Sequence, residues 1–308
     1  MRTPVPAHKV VVVTPFTDDG ELDERALHLV VGRLAAFGFG LYLGSYGSGE
    51  GHLLSRDEIR RVYEIAVAAS GGRAPVYAAA LGFTSTDLII ELAHEARSAG
   101  VDAVQLVPPR PGPPSTAPPE HELTAYYTDV LDGFDGDVHL SNEGFLAGYS
   151  VPAPLLAQMA LRYPQVTSIN ATDLDIGHLA DLVEGLAGAV PVHTGLLPQL
   201  PTALALGAAG PMGFEAAIAP ESCVEMLDGY FSHRMDAFTR CYRRMLGLHR
   251  LLMHAKNPRS VKAALNLLGV PAGATRRPYL PLPQAETERI RHGMAALGLL
   301  GEKKASAL

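Results

Sequence analysis

Asn170, within SINATD (168–173), follows a short run, Val166 to Ile169, that reads as a buried strand. An amide at that position has two N–H groups to offer a developing enolate or oxyanion. It equally suits a polar spot where it only satisfies neighbouring backbone. Other strand-like runs also finish in polar residues: Ser141 and Glu143 after DVHLS, His193 after AVPVH, and the glycine-rich stretch Gly44–Gly51 after GLYLG. Glu143 beside Ser141 is a candidate acid or base, or a solvated loop carboxylate. Asp173 and Asp175 stand directly before IGHLADLV, where capping the next helix competes with general-base work. Gly47 and Ser48 could present backbone N–H groups to a carboxylate or phosphate. GSYGSGEG is nevertheless neither a P-loop nor a dinucleotide fingerprint, so no cofactor is expected. His193 and His52, with Glu143 or Asp173, are ligand types for a metal, but no His-x-His or His-x-x-x-His pair supports a metal site. Arg110 offers a fork for an anionic substrate or is plain surface, and Tyr46 and Tyr149 either lend hydroxyls to a pocket or pack.

These residues need elements to hold them. Eight strand candidates occur, at 9–13, 40–44, 74–80, 102–107, 137–141, 166–170, 189–193 and 210–214, and stretches of helical period separate them. STDLIIELAHEARSAG is one such stretch, with Thr84 or Ser85 available as N-cap and Gly100 as a stop. A βα unit repeated eight times implies a parallel (β/α)8 barrel, the TIM barrel, whose chemistry lies at the C-terminal ends of its strands. More helix follows the eighth strand than one unit needs. The division expected is a barrel over 1–232 and a C-terminal helical appendage over 233–308. PPRPGPPSTAPPE (108–120), with seven prolines, should be stiff, extended and exposed.

Composition narrows the function classes. Among 308 residues, 47% are hydrophobic and 19% charged, which suits a large core and excludes a disordered chain. A net charge of -7 leaves no basic field for nucleic acid. No apolar run reaches membrane-spanning length, MRTPVPAHKVVVV lacks the features of a signal peptide, and Cys223 and Cys241 have no pairing or metal-ligand spacing. A cytoplasmic location is expected.

The ordered motifs resemble the dihydrodipicolinate synthase and N-acetylneuraminate lyase family, from VVVTPF (11–16) to LGLL (297–300). VTPF (13–16) is similar to that family's first-strand ending and YGSGEGHLLSRDE (46–58) to its Gly-Thr-Thr-Gly-Glu loop. SNEGFLAG (141–148) falls at its Tyr-Asn-x-Pro-x-x-Thr-Gly segment, and TSINATD (167–173) at its Ile-Lys-x-x-Ser/Thr segment. HTG (193–195) matches a glycine after strand seven, and NPRSVKAAL (257–265) resembles the start of the family's C-terminal helices.

The resemblance implies an enzyme that joins or splits a 2-oxo acid through a lysine Schiff base, and also implies homodimers or homotetramers. It places that lysine at Asn170, the proton-shuttling tyrosine at Ser141, the relay threonines at Gly47 and Ser48, a second tyrosine near Pro109 and Arg110, and a carboxylate-gripping arginine at Leu146. An amide cannot form an iminium. None of the five lysines, Lys9, Lys256, Lys262, Lys303 and Lys304, ends a strand. The cavity is therefore expected to hold no amine able to attack a ketone.

The favoured reading is a lyase acting on a small carbonyl or hydroxy acid, its substrate a carboxylate, by acid-base and oxyanion stabilisation. Asn170, Ser141 and Glu143 would be catalytic, with Gly47, Ser48, Tyr46, Arg110, Asp173 and His193 binding substrate. The alternatives are a catalytically silent relative that binds a ligand or serves as an oligomer partner, and a metal-assisted lyase.

Overall fold

The computed structural model describes residues 5–79, 81, 82, 84–110 and 117–300, and leaves undescribed the side chains of Glu143, Phe145 and Leu146. Ala80, residues 111–116 of the proline-rich segment, and Lys303 and Lys304 lie outside the described residues.

Eight parallel strands close on themselves in chain order: β1 (Lys9–Val11), β2 (Gly40–Leu43), β3 (Val76–Ala78), β4 (Ala103–Leu106), β5 (Val138–Glu143), β6 (Val166–Thr172), β7 (Val192–Thr194) and β8 (Gly210–Gly213). The (β/α)8 barrel expected from the alternating pattern is the fold observed. Three strands run past their expected ends, and the other five stop one or two residues short of theirs. β5 and β6 run on to Glu143 and Thr172, so Ser141 and Asn170 lie inside their strands, facing each other in register. His193 is likewise followed in β7 by Thr194.

The helices between the strands are fixed by local signals. Ser55 and Glu58 form a reciprocal capping box at the start of the helix Arg56–Ser70, which satisfies two N–H groups that would otherwise be orphaned. Asp175 caps Ile176–Leu186 by accepting from the Gly177 N–H, which realises the capping expected of this acidic pair. Ser85 takes the N-cap position of Thr86–Ser98 without a side-chain bond.

After β8 come the helices Pro220–Phe231, Met235–His254, Arg259–Leu267 and Gln284–Ala296. Their apolar faces are continuous with the layer around the barrel: Met245, Leu248, Val261 and Ile290 belong to the same core as Val10 and Leu41. A buried ion pair ties them to the barrel mouth, with Lys262 Nζ 2.5 Å from Glu50 Oε2. No helix among the described residues is long and apolar enough to cross a membrane.

The bore is unusual for this architecture, whose centre is normally filled by branched apolar side chains. Here Lys9, His139, Ser168 and His193 are each fully buried, beside Tyr42 and Tyr77. Gly40 makes room for them, because a Cβ there would lie 2.9 Å from the Tyr77 ring and 3.1 Å from Cγ of Lys9.

Candidate active site

Inward-facing positions alternate along a strand, so β6 sends Ser168, Asn170 and Thr172 up the bore at successive levels, and β5 sends His139 and Ser141 beside them. Asn170 is 1% exposed, and its Nδ2 donates to Ser141 Oγ at 3.1 Å and to Thr172 Oγ1 at 2.8 Å. Its Oδ1 has no partner among the described residues. These three side chains form a polar floor across the β5/β6 side of the mouth. Gly195 allows it: a Cβ there would lie 1.9 Å from Thr172 Oγ1. Thr172 was not foreseen as a site residue, although its spacing of two from Asn170 in TSINAT places both on one face.

Above the floor, beside β5 and β6, a cavity of about 220 Å³ is lined by Gly144, Gly148, Tyr149, Ser150, Thr172, Asp173 and Leu174. Burial works against ionisation of Asp173, but donation from the Ser150 hydroxyl and the Asp175 N–H outweighs it and holds the carboxyl below the usual aspartate range. The cavity therefore has an anionic wall. Asn142 Nδ2 also approaches Asp173 Oδ2 at 3.4 Å, while its Oδ1 accepts from the Val151 N–H. Tyr149 donates to the Pro109 carbonyl at 2.6 Å, and burial pushes its phenol up to about 12.

The other expected residues lie elsewhere. Ser48 is buried and committed to Asn257, exchanging hydrogen bonds of 3.1 and 2.8 Å with that amide. It ties the glycine-rich loop to the start of the C-terminal helices. Gly47 is exposed beside it, and Tyr46 is half-buried with its ring stacked 6.0 Å from His52. His52 in turn pairs with Tyr279 at 2.9 Å. Arg110 is exposed at the end of the described part of its segment. His193 faces down the bore, Nε2 meeting the Pro6 carbonyl at 2.9 Å, and burial holds its imidazole far below the usual histidine range. Glu143 is the last residue of β5, and its side chain lies outside the described residues. No three His, Cys, Asp or Glu side chains among the described residues come together as metal ligands would.

One expectation is corrected. The bore does contain an amine. Lys9 begins β1, as the sequence indicates, but its side chain runs inward rather than to solvent. Its Nζ lies 2.6 Å from Ser168 Oγ and 2.9 Å from His139 Nδ1. Burial drives its pKa well below the usual lysine value, and the Tyr77 and Tyr42 rings flank it at 4.9 and 5.8 Å. Ser168 is two residues before Asn170, so this cluster sits about 7 Å deeper than the floor at the usual rise per residue.

Comparison with known proteins agrees with this architecture. The family model for the dihydrodipicolinate synthetase family matches residues 8–297. The chain is 29% identical over 292 residues to a 4-hydroxy-tetrahydrodipicolinate synthase of Methanopyrus kandleri, covering 94% of this chain and 96% of that protein. It is 30% identical over 290 residues to the enzyme of the same name from Symbiobacterium thermophilum, covering 94% and 97%. Among solved structures, the pyruvate complex of dihydrodipicolinate synthase from Acinetobacter baumannii superposes with a TM-score of 0.87 at 24% identity, over 96% of this chain and 100% of that one. With the family model spanning nearly the whole barrel and its appended helices, the chain belongs to the dihydrodipicolinate synthetase family.

Proposed function

We propose that this protein is a lyase acting on a small 2-oxo or hydroxy acid without a lysine Schiff base, holding a developing enolate at the amide of Asn170. The observation that carries this is the unpartnered, buried end of that amide. The hydroxyls of Ser141 and Thr172 accept from Nδ2 as placed, and each is also able to donate. A half-turn of the amide lets them donate to Oδ1 and brings the two Nδ2 hydrogens to the open position. An oxyanion there would reward that orientation, since preorganised donors aimed at developing charge are among the strongest catalytic devices.

Position 170 is where the resemblance places the nucleophilic lysine. Lys9 does not replace it in this reading, being fully buried beneath the floor. Asp173 gives the substrate its polarity: its anionic wall repels a carboxylate and accepts a hydroxyl. The carboxylate would then point across the mouth toward Gly47 and Arg110. Glu143, the last residue of β5, is the proposed acid or base. The assembly is a homodimer or homotetramer in the cytoplasm, and no cofactor takes part.

A silent, ligand-binding relative is the second reading. It is favoured by the closed state of the floor, in which Asn170 and Ser141 are buried and bonded to each other.

The test is proton exchange. Pyruvate, 2-oxobutyrate and hydroxypyruvate are incubated with the enzyme in D2O, and loss of the proton signal alpha to the carbonyl is followed by NMR. Exchange in at least one is expected, with Asn170→Ala slowing it by about 10² to 10³ while the fold is intact. Borohydride treatment with the same acids should trap nothing. An adduct located by mass spectrometry to Lys9 or any other lysine overturns the mechanism, and absence of exchange with all three favours the silent reading.

A further inference from the structure

We propose that Asn257, just before the helix Arg259–Leu267, is a positioning residue for substrate: through the Ser48 hydroxyl it holds the Gly47–Ser48 backbone in the shape that receives a 2-oxo acid's carboxylate. The proposal rests on the reading above, in which that carboxylate points toward Gly47, and it names what fixes the receiving loop.

The loop has two N–H groups to give. Among the described residues, the backbone amides of Gly47 and Ser48 donate to no carbonyl and to no side chain. The turn around them is closed by other groups, the Glu50 N–H on the Gly47 carbonyl at 3.3 Å and the Gly51 N–H on the Ser45 carbonyl at 3.0 Å. Ser48 is buried, and a buried N–H is ordinarily paired. Two successive N–H groups at a turn suit an anion, which would supply the missing acceptor.

The opposite side of the loop is built to keep it still. Ser48 Oγ donates to Asn257 Oδ1 at 3.1 Å and accepts from Nδ2 at 2.8 Å. The same amide packs against Gly47, where a Cβ would lie 3.4 Å from Nδ2. Asn257 therefore touches both residues of the pair. Two further ties fix the turn beyond them. The Gly49 carbonyl accepts from the Thr14 hydroxyl at 2.7 Å. Glu50 is fully buried at a left-handed φ of 50°, its carboxylate 2.5 Å from Lys262 Nζ and 3.0 Å from the Arg276 N–H. A residue with a side chain persists in that backbone region where its surroundings over-determine it. Of these ties, the one through Asn257 is the one that reaches Gly47 and Ser48.

Donors already fixed in place spare a ligand the cost of ordering them. With the tie cut, substrate must order the loop itself, and the loss falls on binding rather than on the chemistry at Asn170, on the far side of the mouth. Asn257 is neutral, so removing its amide leaves the charge around the mouth unchanged.

The test is calorimetric titration of wild type, Asn257→Ala, Ser48→Ala and the double variant with pyruvate, 2-oxobutyrate and hydroxypyruvate, with exchange in D2O followed alongside. Asn257→Ala should weaken Kd at least tenfold while the exchange kcat stays within threefold. Ser48→Ala keeps its N–H and loses the hydroxyl, so it should match Asn257→Ala. The double variant should bind no more than twofold weaker than the weaker single one, because both changes cut the same tie. Ser48→Thr, which keeps a hydroxyl, should bind within threefold of wild type. A folded Asn257→Ala with Kd within threefold of wild type overturns the proposal, as do losses that multiply in the double variant. Should Asn257→Ala not fold, Ser48→Ala carries the same expectation and the same refutation. Wild type that binds none of the three acids also overturns it. Wild type that binds but exchanges none overturns the enolate reading of Asn170 instead, and the Kd comparison still decides the role of Asn257.

Discussion

Lowering the pH from 7 to 5 should cost this fold about 2 kcal/mol through His8 alone. His8 is 6% exposed, its ring lies 4.9 Å from Phe39, and its Nδ1 has no partner among the described residues. Burial lowers its pKa from 6.5 to about 3. The unfolded chain takes up a proton near 6.5 and the folded chain does not until about 3, so the unfolded state binds more protons throughout that window. Stability therefore rises with pH between those values, is complete above 6.5, and declines as the pH falls. Each unit is worth about 1.4 kcal/mol, which gives about 2 kcal/mol at pH 5 and about 5 kcal/mol at the foot of the window. His139 and His193 are also held neutral by burial and add in the same direction. His8→Phe isolates the first contribution. In urea titrations at pH 7 and pH 5, the variant should lose about 2 kcal/mol less than wild type between the two conditions. Equal losses in the two proteins would mean that His8 is charged or solvated in the fold.

Three further outcomes are expected. Gly195→Ala should cost about 1 to 3 kcal/mol in denaturant titrations and depress 2-oxo acid exchange at least tenfold, because its Cβ would displace Thr172 from Asn170; pairing it with Thr172→Ala should restore the stability but not the exchange. Lys262→Met leaves the buried Glu50 without its ion-pair partner, for a loss of about 3 to 5 kcal/mol, and adding Glu50→Gln should recover more than half of it in the same titration. Asn170→Lys should yield no pyruvate aldolase activity in a coupled assay, because Ser141 and Gly47 stand where the resemblance places the tyrosine and a threonine of the relay; turnover well above background would contradict that.

Much of the architecture was legible because it depends on period. Eight short runs separated by helical stretches specify a parallel barrel whatever fills its centre. Asn170 and Ser141 were each legible as inward candidates near the ends of adjacent strands, although both strands run two residues further. What was not legible is which way a buried strand turns. KVVVV is covered on both faces, so it has no alternation from which to read the direction of Lys9. Long-range pairings such as Ser48 with Asn257, separated by 209 residues, leave no local signal either. A partial signal for the bore did exist. His139 stands two before Ser141 and Ser168 two before Asn170, so any argument that turns the second residue of each pair inward turns the first inward as well.

Lys9, His139, Ser168 and His193 make the bore a cost rather than a convenience. A barrel centre of branched aliphatic residues would pack as well and leave no amine or imidazole to desolvate. Burying an unpaired polar atom costs on the order of 1 to 3 kcal/mol, and His139 Nε2 and His193 Nδ1 are both without partners among the described residues. A stabilising role for Lys9 is therefore weakly motivated: methionine would fill the same space between Tyr42 and Tyr77 with no desolvation penalty. Lys9→Met is accordingly expected to be as stable as wild type or more so in denaturant titrations, with unchanged exchange. If the hydrogen bonds from Nζ to Ser168 and His139 outweigh the desolvation of the amine, stability should fall instead. It is the sign of that change, and not its size, that decides whether the amine burdens the bore or braces it.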